Sequence, residues 1–308
     1  MHPALSIIVF TTASGLGYGL AVALGLGLLD PMATATRIAH VLSLGLIAAG
    51  LASSTLHLGN PQRAWRAFSQ WRSSWLSREG VMAVITFLPL AASAWLSLFA
   101  GSYVPVLGLA GAALSLATVY CTAMIYASLK SVQAWHTPLT PLCYMLFSLA
   151  GGFTLATLFA AAAGGGAVVL PAILALAFLA AAWAAKLAWR NRMNRLRPIS
   201  TPETATGLGF IGKVRLFERP HINDNYLTRE MGFKVARKHA AKLAMLSLGL
   251  GGLLPAVLLI GLLLAGSTPT ISAIVALLAV LSHATGILVE RWLFFAEARH
   301  AVMNYYGG

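Results

Sequence analysis

Residues Leu139–Ala162 read LTPLCYMLFSLAGGFTLATLFAAA, a run without one charged side chain. A transmembrane helix needs about 20 predominantly apolar residues, and this stretch supplies them. Seven more runs of the same kind can be marked, near 4–29, 35–57, 79–99, 104–128, 167–189, 240–265 and 269–296. The composition agrees, with 58% hydrophobic residues, 9% charged residues and a mean hydropathy of +0.79. A soluble domain carries about 25% charged residues. Backbone groups in lipid must find their partners within their own segment, so each run is expected to be a helix. The fold class is therefore all-α: one membrane domain over 1–308, a bundle of eight transmembrane helices. Met1-His2-Pro3 lacks a basic start, and the first run exceeds the about 7–15 residues of a signal-peptide core. It is expected to be retained.

Charge orients the bundle. Of the 21 Lys and Arg residues, 20 fall in the N-terminal segment, the second, fourth and sixth connections, the C-terminal segment and the helix ends beside them. The other four connections hold Arg37 alone. Cytoplasmic segments near helix ends accumulate Lys and Arg. Both termini and every long connection are expected on the cytoplasmic side of the membrane. A net charge of +13 would suggest nucleic acid in a soluble protein. Here the basic residues border apolar helices, where they face anionic headgroups. Membrane lipid is the expected partner and nucleic acid is not.

The four connections on the bare side are short turns near 30–34, 100–103, 163–166 and 266–268. Those on the basic side are longer, at 58–78, 129–138 and 190–239. The longest holds Arg195, Arg197, Lys213, Arg215 and Arg219 interleaved with Phe210, Phe217, Tyr226 and Phe233. Disordered segments are poor in aromatics. The composition favours a docking surface for a soluble partner over a basic loop that merely lies on lipid. No Asp, Glu, Lys or Arg stands near the centre of any marked run, which argues against an ion-coupled transporter. Cys121 and Cys143 stand alone within helices and read as small apolar fillers, so no metal site and no iron–sulfur cluster is expected on this chain. His40 and His283 differ in depth by about 14 Å at 1.5 Å per residue, a poor axial pair for haem. Haem is not expected, and His283 reads as a hydrogen-bonded interior histidine.

Polar chemistry concentrates between Leu56 and Gly80. His57 ends the second run, Asn60-Pro61 turns the chain, and Ser77 can cap the third helix with Glu79 in its first turn. His57 and Glu79 then lie at similar depth on the basic side. A histidine titrating near neutrality can hydrogen-bond a quinone oxygen and relay a proton, and a carboxylate can pass protons onward. The candidate quinone site is His57, Glu79, Arg63, Arg78 and Trp75. The alternative is an interfacial belt of Trp65, Trp71 and Trp75 with snorkelling arginines.

The same residues carry a resemblance. Leu56-His57-Leu58-Gly59-Asn60-Pro61-Gln62-Arg63-Ala64-Trp65 and Ser73-Ser74-Trp75-Leu76-Ser77-Arg78-Glu79 resemble the membrane anchor subunits of dimethyl-sulfoxide-reductase-type complexes. His2-Pro3-Ala4-Leu5-Ser6, Phe10-Thr11-Thr12 and Trp135-His136-Thr137-Pro138-Leu139-Thr140-Pro141-Leu142 fit the same group. The resemblance implies an anchor that binds ubiquinone or menaquinone and holds two soluble partners, an iron–sulfur subunit and a catalytic subunit with a molybdenum bis-pterin cofactor. It implies that His57 and Glu79 are the positions linked to quinol. Arg78 before the glutamate and the long basic connection depart from the family pattern. A basic, cytoplasmic docking face fits the branch with cytoplasmic catalytic subunits, which includes the sulfite-oxidising complexes of sulfur-oxidising bacteria. The alternative is an anchor that oxidises menaquinol for a dimethyl sulfoxide or related reductase.

Overall fold

The structure is a computed structural model that describes residues 3–55, 60–164, 166–198, 200–215, 217–218, 223, 235–265 and 268–306. Its helices, in chain order, are α1 (Leu5–Gly25), α2 (Thr34–Thr55), α3 (Trp75–Trp95, continued by a π-turn over Leu96–Ala100), α4 (Pro105–Ala127), α5 (Leu139–Ala162) and α6 (Val169–Arg195). They continue with α7 (Pro202–Thr206), α8 (Val235–Leu248), a π-turn over Gly249–Leu253, α9 (Leu254–Leu264) and α10 (Pro269–Ala296). Among the described residues eight helical spans are long and apolar enough to cross a membrane, α8 and α9 forming one of them. Among the described residues the regular structure is all helical, and it fits a multi-pass membrane protein.

Several helix ends differ from the marked runs by a few residues, and two of the differences move chemistry. The third helix begins at Trp75, with Ser74 at the N-cap and Ser77 buried inside. Ser77 is therefore not the cap, and Glu79 lies one turn further in than expected. The added turn lets Arg78 stack over Trp75 at 4.2 Å, an i, i+3 neighbour on the same face. The sixth helix runs on to Arg195 instead of ending near 189. Nothing breaks it before Pro198, and Arg192 and Arg195 in its last turn suit the negative end of the helix dipole. Lys186 thus lies nine residues inside the helix, and it is buried.

Helices α1 and α5 form the centre of the bundle, each with 72% of its apolar window buried. They approach so closely that a Cβ on Gly19 would overlap the Ser148 carbonyl oxygen, and one on Gly152 would overlap Gly19. Ser148 Oγ donates to the Gly15 carbonyl at 2.6 Å across the same contact. Lipid offers helices no hydrophobic drive to associate, so close backbone contact and interhelical hydrogen bonds hold such crossings. Replacing Gly19 by Leu should therefore cost roughly 3 kcal/mol or more, seen as loss of the monodisperse peak in detergent chromatography. A wild-type elution profile would show that the crossing can open. Helices α2 and α3 are outer by contrast, with 22% and 28% of their windows buried.

Candidate functional site

Glu79 is 5% exposed, and its carboxylate accepts a hydrogen bond from the Thr122 hydroxyl of α4. Thr118, one turn along α4, shares a 3.0 Å hydroxyl contact with Thr86 of α3. The α3–α4 seam is thus polar for two turns, and Glu79 stands at its basic-side end. A carboxyl group buried with one hydroxyl partner can give or take a proton where solvent does not reach it. Outside this pair stand Trp75 and Tyr120, an edge-to-face pair with ring centroids 6.0 Å apart.

The other predicted site residues are arranged differently. Arg78 turns back to the surface segment, its Nε donating to the Trp71 carbonyl at 3.0 Å and its terminal nitrogen to the Arg72 carbonyl at 2.7 Å. With those bonds and the Trp75 ring, its guanidinium is committed to the loop, and among the described residues no ion pair joins it to Glu79. Arg63 is exposed on a 3-10 helix, Pro61–Phe68. That segment carries Arg66 over Trp65 at 5.7 Å and continues to Arg72 over Trp71 at 5.4 Å. Phe68 packs beneath Gly80, where a Cβ would come within 3.3 Å of the ring. The structure brings Trp75 and Arg78 together and sets Glu79 apart from them, facing inward. His57 lies outside the described residues.

A second polar cluster went unread in the sequence. Lys186 Nζ of α6 lies 2.5 Å from Glu290 Oε1 of α10, and Arg291 lies 3.4 Å from Glu290 Oε2. Their side chains are 8%, 1% and 3% exposed. Aromatic faces complete the cage: Lys186 sits 3.8 Å from the Trp189 centroid and Arg291 3.7 Å from that of Tyr144. Cation–π contact is strongest where water is excluded. The signal was present, since an ionisable residue within an apolar span is a functional candidate by default. These three lay near enough to the expected helix ends to read as interfacial. Arg190 and Glu297 form a further pair at 3.0 Å, closer to the basic end of the same two helices. The Trp135–Leu142 stretch is structural here. Trp135 Nε1 donates to the Phe294 carbonyl at 2.9 Å, and Trp135 and Tyr144 pack on Phe294 beneath the cluster.

His283 is an interior histidine held by one bond of defined sense. Pro255 has no N–H, which leaves the carbonyl four residues before it, that of Gly251, without its helical donor. His283 Nδ1 lies 2.7 Å from that oxygen. A carbonyl only accepts, so in the neutral ring Nδ1 carries the proton and Nε2 keeps its lone pair. Among the described residues Nε2 has no hydrogen-bond partner. His40 lines a separate cleft toward the bare end, with Ser43, Ser93 and Ser97. Cys121 and Cys143 are free and buried, and among the described residues no group of His, Cys, Asp and Glu could hold a metal ion.

On the long basic connection, Thr201 caps α7 by accepting from the Thr204 amide, and Glu203 accepts from the Val214 amide at 3.1 Å. This carboxyl is held below its usual range chiefly by its hydrogen bonds, that with Thr201 first. Gly207 closes the short helix in the left-handed region at φ 70°. Around this fold Arg195, Arg197, Lys213 and Arg215 are exposed, as are Phe210, Ile211 and Phe217. Arg219 lies outside the described residues.

Comparison with known proteins accords with these features. Residues 1–296 match the family model described as the DMSO reductase anchor subunit (DmsC). The chain is also 36% identical, over 99% of its own length and 99% of the relative's, to a sulfite dehydrogenase subunit of Allochromatium vinosum. A match over nearly the whole chain, on a bundle with eight candidate membrane spans, carries one conclusion: the chain belongs to the DMSO reductase anchor subunit family.

Proposed function

We propose that this chain is the quinone-reactive membrane anchor of a molybdenum oxidoreductase complex. The observation that carries the reading is Glu79, a buried carboxyl with, among the described residues, one hydroxyl partner, lying beside a tryptophan- and arginine-rich surface segment. The donor set suits a quinone: its carbonyl oxygens need a group that delivers protons out of solvent, and Glu79 is such a group. The ring itself would lie on the outer side of Glu79, where Trp75 and Tyr120 stand, with His57 as a second contact. When bound, the quinone supplies two-electron storage; the residues of this chain orient it and hold and pass the protons. Arg78 orders the surface segment beside the site, and Arg63 stands exposed on it.

Both termini and the long connections are assigned to the cytoplasmic face of the inner membrane by the Lys and Arg asymmetry. An iron–sulfur subunit would dock on the 58–78 and 190–239 connections and link the site to a molybdenum-bearing catalytic partner. Likeness to a sulfite dehydrogenase subunit along the whole chain favours sulfite as electron donor and quinone as acceptor. The second reading, oxidation of menaquinol for a sulfoxide reductase, is favoured by the family model. The deciding test is sidedness. A single cysteine at exposed Phe210 should resist an impermeant thiol reagent in intact cells and react once the membrane is opened. Ready labelling in intact cells would place the partner outside and select the reductase. Docking is tested by changing Arg195, Arg197, Lys213 and Arg215 together to Glu. Association with the iron–sulfur subunit should weaken at least about tenfold at low salt, and the salt dependence of binding should flatten.

A further inference from the structure

The Thr122 hydroxyl, which also reaches the Thr118 carbonyl of its own helix at 3.1 Å, stands between two features. On one side is Glu79. On the other is a cavity between α1, α4, α5 and α10, lined by Thr12, Gly15, Thr122, Tyr144, His283 and Arg291. Four polar atoms on this lining have no hydrogen-bond partner among the described residues: Thr12 Oγ1, the Tyr144 hydroxyl, His283 Nε2 and Arg291 Nε. All four side chains are buried. Leaving a buried donor or acceptor unpaired costs about 1–3 kcal/mol each, so four around one space amount to a binding site. The space is water-sized rather than ring-sized. A buried water makes about three hydrogen bonds to such groups. The lining offers the mixed set that water needs: a donor from Arg291, an acceptor from His283, and hydroxyls able to act as either.

We propose that this cavity is an internal water site that supplies protons to Glu79 through the Thr122 hydroxyl. The inference rests on the reading of Glu79 as the proton donor to quinone. In that reaction quinone takes two electrons from the iron–sulfur partner and two protons, giving quinol. Each proton leaves the Glu79 carboxyl and leaves a carboxylate behind. The Thr122 hydroxyl gives its proton to that carboxylate and takes one from the cavity water. Solvent on the basic face then restores the water. On the far wall of the cavity Arg291 keeps its proton and orients the water, and the route to that face runs behind it through Glu290 and Lys186, which can exchange protons. It ends at Glu297, seven residues or about 10 Å further along α10, where Glu297 pairs with Arg190. Gly151 keeps the cavity open toward His283: a Cβ there would come within 3.1 Å of Nε2.

Gly15 gives a direct test. It lines the cavity, and a Cβ at this position meets nothing within 4 Å. Leucine at 15 would fill the water space without reaching Glu79 or removing any charged group, whereas the methyl of alanine would leave room for the water. In the assembled complex, Gly15→Leu should slow quinone reduction about tenfold and raise the H2O/D2O rate ratio to about 2 or more, as expected when proton supply limits turnover. Gly15→Ala should match wild type, and reduction of the iron–sulfur partner by substrate should be unchanged in both. A defect of packing alone would slow the reaction without changing the isotope ratio. If Gly15→Leu does not assemble, Thr12→Val, which removes one cavity hydroxyl at nearly constant volume, should show the same isotope signature to a smaller degree. Wild-type rate and isotope ratio in the assembled variant would overturn the water site alone. A wild-type complex that cannot reduce quinone would instead overturn the function on which it rests.

Discussion

Replacing Glu79 by Gln should reduce quinone-linked turnover about a hundredfold in a complex that assembles normally. Glutamine keeps the volume of the side chain and still offers an oxygen to the Thr122 hydroxyl, so the α3–α4 contact is kept. What it loses is the ability to give up and regain a proton. Positioned acid–base groups contribute about 10²–10⁴-fold to rates, and a group buried away from solvent has no ready substitute. Removing a carboxyl from an apolar setting is also not expected to lower stability. The variant therefore separates chemistry from folding more cleanly than alanine would. Thr122→Val is the companion change. It leaves the carboxyl in place without its donor, and its effect should be smaller, about tenfold. The measurement is reduction of a soluble quinone analogue by the purified complex, alongside reduction of the iron–sulfur partner by substrate. Loss of the first with the second intact places the defect at Glu79. Full quinone reduction in both variants would remove Glu79 from the proposed site and leave a purely structural anchor.

Much of this architecture was legible along the chain because a membrane span is written as one contiguous apolar run. Among the described residues all eight runs are helices long and apolar enough to span, and no tertiary information was needed to find them. Helix ends were harder. The marked runs 79–99 and 167–189 exclude the charged residues beside them, yet Arg78 sits within α3, committed to loop carbonyls, and Arg192 and Arg195 complete the last turn of α6. Each such error moves a side chain by a turn. The first moved Glu79 from a surface turn to a buried one, which changes its stabilising partner from a helix dipole to a single hydroxyl. Thr122 carried no signal, since a threonine in an apolar helix is unremarkable until the carboxylate opposite it is known. His283 could be read as a buried, hydrogen-bonded histidine. The reason for its tautomer joins Pro255, Gly251 and His283 across two helices, a relation that no spacing within one helix reveals. The Lys186–Glu290–Arg291 cluster failed for a third reason. Each residue alone, near a helix end, is accounted for by snorkelling, and only their convergence marks a built site.

That cluster leads to the largest stability effect expected in the molecule. Glu290→Ala leaves Lys186 and Arg291 as two buried cations with no counter-ion, and breaking a buried pair this way costs about 3–5 kcal/mol. The midpoint of heat-induced aggregation in detergent should fall by roughly 10 °C. The aromatic faces of Trp189 and Tyr144 cannot make up the loss, because cation–π contacts supply only about 2 kcal/mol even when desolvated. Replacing all three residues by apolar or neutral partners of similar size, Lys186→Met, Glu290→Gln and Arg291→Met, should behave differently. Buried ionic groups exchanged together for packed neutral side chains are often neutral or stabilising, by about 1–4 kcal/mol. The triple variant should then melt within a few degrees of wild type yet reduce quinone slowly, with the raised isotope ratio expected of an interrupted proton supply. Recovery of both stability and turnover would show that the cluster serves the fold alone. Recovery of stability without turnover would show that this bundle keeps three costly buried charges, which its stability does not require, for the supply of protons to Glu79.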